Sequence, residues 1–318
     1  MKVSIVICTY NGERFVEEQI KSIYNQTRIP NEVIICDDSS TDKTATIIKQ
    51  FIKQNDLSSS WRFEINRPAK GCSHNFIDAA NSAKGDIVFF CDQDDIWDLH
   101  KVEYMLAGFE EHSDMLACYC LEQYVDEQGC KVKSNFDFMH NVKMWKTGFV
   151  KVSFAENIKK NKCPGLCLAF KKNILEELTP MIYENKLMHD LSIGNYASFF
   201  DGLYVLNKKL VKYRQHSTNL SSPKITVSSR IRNIDYQIKG RIGRLKQYKA
   251  FYDCYSDRMS EKQIKYFKAM LNSTEKSIVH MKKRNVFALL FQIFSINPFI
   301  NRWISINNFL CVLYECWK

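Results

Sequence analysis

Glycine is scarce in the part of the chain where a nucleotide-binding loop would need it. Only one glycine, Gly12, lies in the first 70 residues. A dehydrogenase of the Rossmann type carries G-x-G-x-x-G after its first strand, and a sugar nucleotidyltransferase carries a glycine-rich loop over the triphosphate. The scarcity of glycine therefore excludes both classes of nucleotide-binding enzyme.

Cysteine spacings typical of metal fingers or redox pairs are also missing, since the twelve cysteines contain no C-x-x-C. Cys8, Cys36, Cys91 and Cys167 interrupt apolar runs where a small hydrophobic residue fits, so we predict reduced cysteines in the core.

The start, MKVSIVICTYNG, has only Lys2 as a basic flank and no cleavage-type site. We interpret it as the first strand of a cytoplasmic protein rather than as a signal peptide.

Long apolar runs are the third absence. Neither Val286–Phe294 nor residues 304–314 reach the roughly 20 apolar residues that span a bilayer.

Charge is unevenly distributed along the chain. Residues 207–286 hold 20 Lys and Arg against 5 Asp and Glu, whereas residues 1–206 carry a net charge of −6. This asymmetry indicates that the basic segment faces an anionic partner.

The basic segment has an amphipathic helical pattern. We predict that residues 223–318 form a helical region that lies on an anionic membrane surface. Packing on the rest of the chain, or on another copy in a homo-oligomer, stays open as the alternative. Nucleic acid is disfavoured because the basic residues share helices with apolar faces rather than with aromatic stacking platforms. The apolar positions of the first helix are Ile231, Ile234, Ile238, Ile242, Leu245 and Tyr248.

The first 114 residues alternate between short apolar runs and helical spacing. Such alternation predicts right-handed βαβ units and a mainly parallel α/β sheet that is buried on both faces. Residues 115–222 are less regular, with strand-like pieces and one short helix near residues 173–178. The predicted strands are residues 3–8, 32–36, 63–66, 87–91, 115–121, 165–170 and 202–206.

Polar side chains follow four of the predicted strands. In an open parallel sheet the ligand binds beyond the carboxyl ends of the strands, so these residues are expected to line one crevice. They are Thr9 and Asn11 after the first strand, Asp37 and Asp38 after the second, Asn66 and Arg67 after the third, and Asp92, Asp94 and Asp95 after the fourth.

The segment CDQDDIW places three carboxylates within four positions at the end of a buried strand. Close carboxylates repel one another and raise each other's pKa, so a divalent cation is the natural partner. Oxygen ligands of this kind suit Mg²⁺ or Mn²⁺ that also binds substrate phosphates. The alternative is that this acidic turn caps a helix that begins near Trp97.

The second acidic segment, DDSSTD, allows the same two interpretations. Capping of the following helix would explain Ser40 or Thr41. It does not explain the adjacent carboxylates of Asp37 and Asp38, one of which could accept hydrogen bonds from a base or from a ribose hydroxyl.

Taken together, these segments resemble family 2 glycosyltransferases, particularly the rhamnosyltransferase-like members that build bacterial polysaccharides. The resemblance covers roughly residues 2–220 and implies a GT-A fold with a C-terminal helical extension. Within it, residues 1–114 would bind the nucleotide sugar, and residues 115–222 would face the acceptor. The segments that carry the resemblance are VSIVICTYNG, DDSSTDKT, residues 71–75, AKGDIVFFCDQDDIW, CPGLCLAF, MHDLSIG and YRQHSTN.

The resemblance also implies roles for individual residues. Asp190 aligns with the catalytic base, although His189 stands where a Glu is commoner, which leaves the role of His189 open. Asp94 and His216 align with residues that approach the diphosphate-bound Mn²⁺ or Mg²⁺. The residues implied for binding the nucleoside diphosphate sugar are Thr9, Asn11, Asp37, Asp38, Arg67, Asn75, Asp92 and Arg214.

The activity implied is an inverting, metal-dependent transfer of a single sugar, with rhamnose as the candidate. The acceptor would be a cell-surface polysaccharide or a lipid-linked glycan at the cytoplasmic membrane surface. A processive synthase would need several membrane spans and Q-x-x-R-W, and the sequence contains neither. The rival hypothesis is an inactive nucleotide-sugar-binding or scaffolding protein held at the membrane by its basic tail. Carboxylates at positions 92, 94 and 190 argue against it, because a relic has no reason to keep mutually repelling groups.

Overall fold

A computed structural model of the chain describes residues 1–132, 148–160, 163–217, 219, 234–294, 310, 312 and 313. The chain divides into two compact units. The first comprises Met1–Asn157 and Asn161–His216, and the second comprises Ile158–Lys160 and Ser217–Lys318. The expected boundary after residue 222 lies outside the described residues.

Strands and helices alternate along the first unit as the sequence predicts. They begin with β1 (Val3–Thr9), α1 (Val16–Tyr24), β2 (Glu32–Asp37), α2 (Thr44–Gln54), β3 (Trp61–Ile65), α3 (Cys72–Ser82) and β4 (Ile87–Asp92). They continue with β5 (Ile96–Trp97), α4 (Lys101–Glu111), β6 (Ala117–Val125), β7 (Phe149–Lys151), α5 (Phe154–Lys160), β8 (Leu168–Lys171), α6 (Leu175–Asn185), α7 (His189–Phe199) and β9 (Leu203–Arg214).

The strands form one nine-stranded sheet in the order β3-β2-β1-β4-β8-β6-β9-β5, with β7 paired to β9. The four strands from β3 to β4 are parallel, while β8 pairs in antiparallel fashion with both β4 and β6. β1, β2 and β4 are buried over almost their whole length, because these apolar runs are covered on both faces of the sheet. The predicted α/β class is confirmed.

The register of the parallel strands brings their polar ends to one edge of the sheet. Thr9 pairs with Asp37 across β1 and β2, and Cys8 pairs with Asp92 across β1 and β4. The Asp38 N–H donates to the Thr9 carbonyl at 2.8 Å, and the Asn66 N–H donates to the Asp37 carbonyl at 2.8 Å. The pairing of the strands therefore continues into the loops that carry the predicted site residues.

Three details of the prediction differ from the structure. Trp97 does not begin a helix, because Ile96 and Trp97 pair in antiparallel fashion with β9 and α4 begins only at Lys101. The segment predicted as a strand over residues 165–170 begins as a 3₁₀ turn, Gly165–Cys167, before β8. β9 also extends to Arg214, well beyond the predicted end at residue 206.

The second unit contains α8 (Ile234–Tyr255), α9 (Glu261–Lys282) and α10 (Val286–Phe294). Ser260 caps α9 in a capping box with Gln263. Ile242, predicted on the apolar face of α8, is 43% exposed, while Ile231 lies outside the described residues. Among the helices that the structure describes, none is long and apolar enough to cross a bilayer. The small core consists of Ile234, Ile238, Ile278, Met281, Leu289 and Val312.

Candidate active site

The turn after β4 concentrates negative charge at the edge of the sheet. Burial, together with the charges of Asp94 and Asp190, raises the pKa of Asp92 to about 7. Burial and the charges of Asp94 and Asp92 hold the pKa of Asp95 well above its ordinary value. The Asp95 Oδ1 atom accepts a hydrogen bond from the Arg214 N–H at 3.1 Å, but its Oδ2 atom is buried without a partner. The turn therefore carries carboxylate charge that the surrounding protein compensates only in part.

Helix capping does not account for this acidic turn. α4 begins at Lys101, and no side chain of the turn caps it. The neighbouring Asp98 accepts the N–H of His100 at 3.0 Å instead. The capping interpretation of CDQDDIW is therefore wrong, because β5 separates the turn from the helix.

Asp94 and His216 meet at this turn. The His216 Nε2 atom lies 2.8 Å from Asp94 Oδ2, and the imidazole packs on the Phe15 ring with centroids 4.8 Å apart. Both side chains are largely buried. A carboxylate beside an imidazole fits Mg²⁺ or Mn²⁺, which commonly takes one or two protein ligands and completes its shell with phosphate oxygens and water. Within the described residues, no three acidic, histidine or cysteine side chains converge into a cage formed by protein ligands alone.

Arg214 lies behind the turn and uses its guanidinium on protein groups. Its Nε donates to the Asp94 carbonyl at 3.0 Å, and its Nη1 donates to the Glu127 carbonyl at 2.6 Å. Its Nη2 pairs with the carboxylate of Glu18, and the guanidinium lies over the Phe15 ring at 4.9 Å. The donor-binding role of Arg214 remains a prediction, but these bonds tie the acidic turn to α1.

These bonds predict a stabilising role for Arg214 even without a ligand. Arg214→Lys removes the forked contacts, so we expect the free energy of unfolding to fall by about 2 kcal/mol or more, since a hydrogen bond to a charged group contributes roughly 1.5–3 kcal/mol. Arg14→Lys is the matched control, because Arg14 pairs with Glu127 at an exposed position where a salt bridge contributes about 0–1 kcal/mol. Urea denaturation measures both variants. An unchanged Arg214→Lys midpoint would contradict this role.

Asp37 and Asp38 use their carboxylates to close loops. Asp37 accepts from the Thr9 hydroxyl at 2.7 Å and from the Ser40 N–H at 2.8 Å. Asp38 accepts from the N–H groups of Lys70 and Gly71 at 2.7 and 2.8 Å. Both aspartates are buried, so the loops that follow β1, β2 and β3 are fastened to one another at the sheet edge.

The N-cap residue of α2 is Lys43, which makes no side-chain capping bond, and the preceding residue Asp42 binds the first backbone N–H of the helix. Asp42 Oδ1 accepts the Thr44 N–H at 3.0 Å, and its Oδ2 accepts the Glu13 N–H at 3.0 Å. Ser40 donates to Asp37, and Thr41 donates its N–H to Asn11 Oδ1 at 2.9 Å. The assignment of capping to Ser40 or Thr41 is therefore wrong, because α2 begins only at Thr44.

Asn75, Asn11 and Arg67 surround the same edge in different ways. Asn75 is buried and donates to the Cys36 carbonyl at 2.9 Å, while it accepts from Asn66 at 2.8 Å. Asn11 is exposed with a φ of 47°, a left-handed conformation that Asn tolerates better than most residues. Arg67 is exposed directly after the loop of Asn66. The predicted donor-binding roles of these residues remain predictions.

Asp190 lies in the first turn of α7. A Cβ added at Gly165 would lie 3.5 Å from Asp190 Cβ, so the turn before β8 lies next to this aspartate. The charge of Asp190 contributes to the raised pKa of Asp92. The aspartates at positions 92 and 190 therefore act on each other electrostatically, although 98 positions separate them in the sequence.

His189, which precedes Asp190, is buried between α3 and β4. Its ring stacks on Phe76 at 4.6 Å and meets the edge of Phe90 at 5.1 Å. Burial lowers its pKa, opposed by the charge of Asp190, and its Nδ1 lies 3.3 Å from the Ser73 hydroxyl. A neutral, packed imidazole thus anchors the start of α7 to α3.

Three further residues support the site without having been predicted. Gln93 binds the backbone of Tyr10, Glu18 pairs with Arg214, and Lys101 lies fully buried with its ammonium 3.5 Å from the centre of the Trp97 ring. The charge of Lys101 lowers the pKa values of the neighbouring aspartates. Lys101 could have been found from the sequence, because a lysine on the apolar face of a helix is unusual. The contacts of Gln93 and Glu18 could not, because they depend on the tertiary fold.

The sheet order and the acidic strand ends define a GT-A fold, and solved structures share it. The structure of Staphylococcus aureus TarS 1-349 in complex with UDP-GlcNAc aligns with a TM-score of 0.59 at 16% identity, covering 100% of this chain and 93% of that chain. The mannosyltransferase PcManGT of Pyrobaculum calidifontis, in complex with GDP-Man and Mn²⁺, aligns with a TM-score of 0.54 at 14% identity, covering 99% and 87%.

The sequence comparison identifies the family. Residues 4–179 match Glycosyl transferase family 2, and the chain belongs to that family. RfbG of Shigella flexneri, a dTDP-rhamnosyl transferase, is 25% identical over 72% of this chain and 78% of RfbG. An uncharacterized glycosyltransferase of Nostoc is 33% identical over 35% of this chain, and the match spans only 33% of that relative's length.

Proposed function

We propose that the protein transfers a single sugar from a nucleoside diphosphate sugar to a glycan acceptor, with inversion at the anomeric carbon. The observation that carries the proposal is the pairing of Asp94 with His216 at 2.8 Å on the acidic turn, with Asp190 near enough that its charge helps to raise the pKa of Asp92. A base must lie on the acceptor side of the anomeric carbon while the diphosphate lies at the turn. One cleft that contains both groups satisfies this requirement.

Asp190 takes the proton of the attacking acceptor hydroxyl in this proposal. It lies in the first turn of α7, and the packed ring of His189 fixes where that turn begins. A carboxylate that is held in place can act as general base in a single displacement. Inversion follows because the hydroxyl attacks from the face opposite the departing diphosphate.

Asp94 and His216 would hold the metal ion, and Asp92 would contact the donor beside it. Mn²⁺ or Mg²⁺, when bound, stabilises the charge that develops on the departing nucleoside diphosphate. Asp94 would supply a carboxylate oxygen, the ligand type that these ions prefer, and His216 would supply an imidazole nitrogen. The bonds of Arg214 to Asp94 and Asp95 hold this ligand set in place before the donor arrives.

The relatives guide the choice of donor and acceptor to be tested. RfbG is a dTDP-rhamnosyl transferase, which supports rhamnose as the sugar. WfgD of Escherichia coli, 32% identical over 105 residues, transfers glucose to a sugar on diphosphoundecaprenol. TarS acts on poly(ribitol-phosphate) and is 33% identical over 119 residues. We therefore propose a polysaccharide or a lipid-linked glycan as the acceptor.

A two-stage experiment tests the proposal. Thermal shift with dTDP-, UDP- and GDP-sugars in the presence of Mn²⁺ identifies the donor, because a ligand that binds the native state raises the unfolding temperature. Hydrolysis of that donor is then measured with and without Mn²⁺. Mn²⁺-dependent turnover supports the enzyme, whereas binding without turnover favours the scaffolding alternative.

The second unit supports association with an anionic membrane surface. Phe287 is 79% exposed and Val279 is 46% exposed, close to the exposed Lys282 and Lys283 in the chain. On α8, Ile242 lies between exposed lysines at helical spacing. Apolar side chains flanked by lysines suit the interface of an anionic bilayer. The α8 lysines are Lys239 and Lys246.

Vesicle binding provides the measurement. The protein is expected to co-sediment with phosphatidylglycerol vesicles at low salt and to remain in solution with phosphatidylcholine vesicles. Replacement of Lys239, Lys246 and Lys282 by Gln should weaken binding roughly 10- to 100-fold, since each lysine near such a surface contributes about 1 kcal/mol. The same replacement at the exposed Lys43, Lys53 and Lys84 controls for net charge. If the wild type ignores anionic vesicles, oligomer formation by these helices becomes the alternative, to be measured by sedimentation.

A further inference from the structure

The middle residue of the acidic turn makes a two-point contact with the loop after β1. The Tyr10 N–H donates to Gln93 Oε1 at 2.8 Å, and Gln93 Nε2 donates to the Tyr10 carbonyl at 2.9 Å. β1 and β4 are parallel neighbours that end at Thr9 and Asp92. A primary amide carries one donor and one acceptor side by side, as a strand backbone does. The side chain of Gln93 therefore continues the β1–β4 pairing beyond the ends of the strands.

Gly12 provides the space for this contact. A Cβ at position 12 would lie 2.3 Å from Gln93 Oε1 and 2.6 Å from its Cδ, which is inside van der Waals contact. The Gly12 N–H donates to the Thr44 hydroxyl at 2.8 Å, and the Gly12 carbonyl accepts from Val16 at 3.0 Å, so the loop is fixed on its other side as well. Glycine is needed here because the Gln93 amide occupies the place of a side chain.

We propose that Gln93 is a positioning residue that holds the loop Tyr10–Gly12 against the acidic turn, so that the nucleoside and the diphosphate of the donor meet one preassembled edge. The inference rests on the proposed function, since it assigns Gln93 to donor binding in the same cleft. Gln93 acts through the backbone of Tyr10, which follows the predicted donor residue Thr9. Its loss weakens donor affinity and leaves the chemical step of the bound donor largely intact.

The first measurement separates binding from turnover. Gln93→Met keeps the length of the side chain but removes both hydrogen bonds. The dissociation constant for the nucleoside diphosphate with Mn²⁺ is expected to rise about 5- to 30-fold, the change that one or two lost hydrogen bonds cause. The kcat at saturating donor should change less than about threefold. Gln128→Ala, at an exposed glutamine, is the matched control.

The second measurement uses the coupling between Gln93 and Gly12. Gly12→Ala alone should weaken donor binding about as much as Gln93→Met, because the new methyl group displaces the amide. In a Gln93→Ala background the space is empty, so adding Gly12→Ala should cost less than about twofold. Gly240→Ala, where a Cβ meets nothing within 4 Å, controls for the loss of a glycine.

The outcomes separate this inference from the proposed function. Titration calorimetry with UDP, dTDP and GDP in the presence of Mn²⁺ measures binding for every variant. A wild-type protein that binds none of them overturns the proposed function and the donor role of Gln93 together. A wild type that binds, with a Gln93→Met variant of equal affinity or with additive penalties in the double variant, overturns only the inference about Gln93.

Discussion

The Asp190→Asn variant is expected to bind the nucleotide sugar as the wild type does and to lose transfer by a factor of about 10² to 10⁴, the usual contribution of a general base. Asparagine keeps the shape of the side chain and can still accept the hydrogen bond that the Leu191 N–H donates at 2.7 Å. It cannot take the proton of the acceptor hydroxyl. The loss should therefore appear in kcat, while the donor dissociation constant stays within about twofold.

A control for the loss of one negative charge lies at the other end of α7. Asp201 is exposed with a φ of 54°, a conformation that Asn also accepts, so Asp201→Asn should retain wild-type turnover. Removal of the Asp190 charge also removes one cause of the raised pKa of Asp92, so donor binding in Asp190→Asn should not weaken. Full transfer activity in the Asp190→Asn variant would exclude this residue as the base.

The sheet edge could be predicted from the sequence because its signals are local. Each apolar run of the first half ends at a polar or acidic pair, and parallel pairing forces the carboxyl ends of the strands to one side. In the structure Thr9 pairs with Asp37 and Cys8 pairs with Asp92, so the ends of these strands do lie at one edge. The positions of these strands could therefore be predicted without knowledge of the side-chain contacts.

The hydrogen-bond partners of each polar side chain could not be predicted from the sequence in the same way. Asp38 binds the backbone of Lys70 and Gly71, more than 30 positions further along the chain, and Arg214 reaches back to Glu18. Whether a carboxylate faces a ligand or closes a loop depends on such distances between remote residues. Sequence patterns identify the residues at the edge of the sheet. Only the contacts in the folded chain show which of these residues bind neighbouring loops and which could bind a ligand.

The second half of the sheet was harder to predict for a related reason. Its strands are mixed in direction, and β5 contains only two residues, whose pairing with Lys212 and Val211 is set by β9. A two-residue strand is too short to show an alternating sequence pattern. The sequence therefore does not distinguish Trp97 in a strand from Trp97 at the start of the next helix. The length of β9 likewise depends on the partner strands β6 and β7, which stabilise it along its whole length.

The Asp94→Asn variant is expected to lose at least about 10²-fold in turnover and to lose its response to Mn²⁺, because the stabilisation that a bound metal gives to the leaving group amounts to several kcal/mol. Asp94 Oδ2 lies 2.8 Å from His216 Nε2, so the ion would be shared by the two side chains. His216→Ala should therefore reduce Mn²⁺ activation as well. The double variant should be little worse than either single variant, since removal of one ligand already empties the site.

Asp98→Asn is the matched control for Asp94→Asn, because Asp98 is exposed and its bond to the His100 N–H survives the change to an amide. In the wild type, EDTA should abolish turnover, and an excess of Mn²⁺ over the chelator should restore it. Asp94→Asn is expected to weaken donor binding only when Mn²⁺ is present, since the ion links the carboxylate to the diphosphate. Turnover that resists EDTA would contradict the metal assignment. A metal response that survives in Asp94→Asn would instead mean that other ligands hold the ion and that the contact between Asp94 and His216 serves the fold.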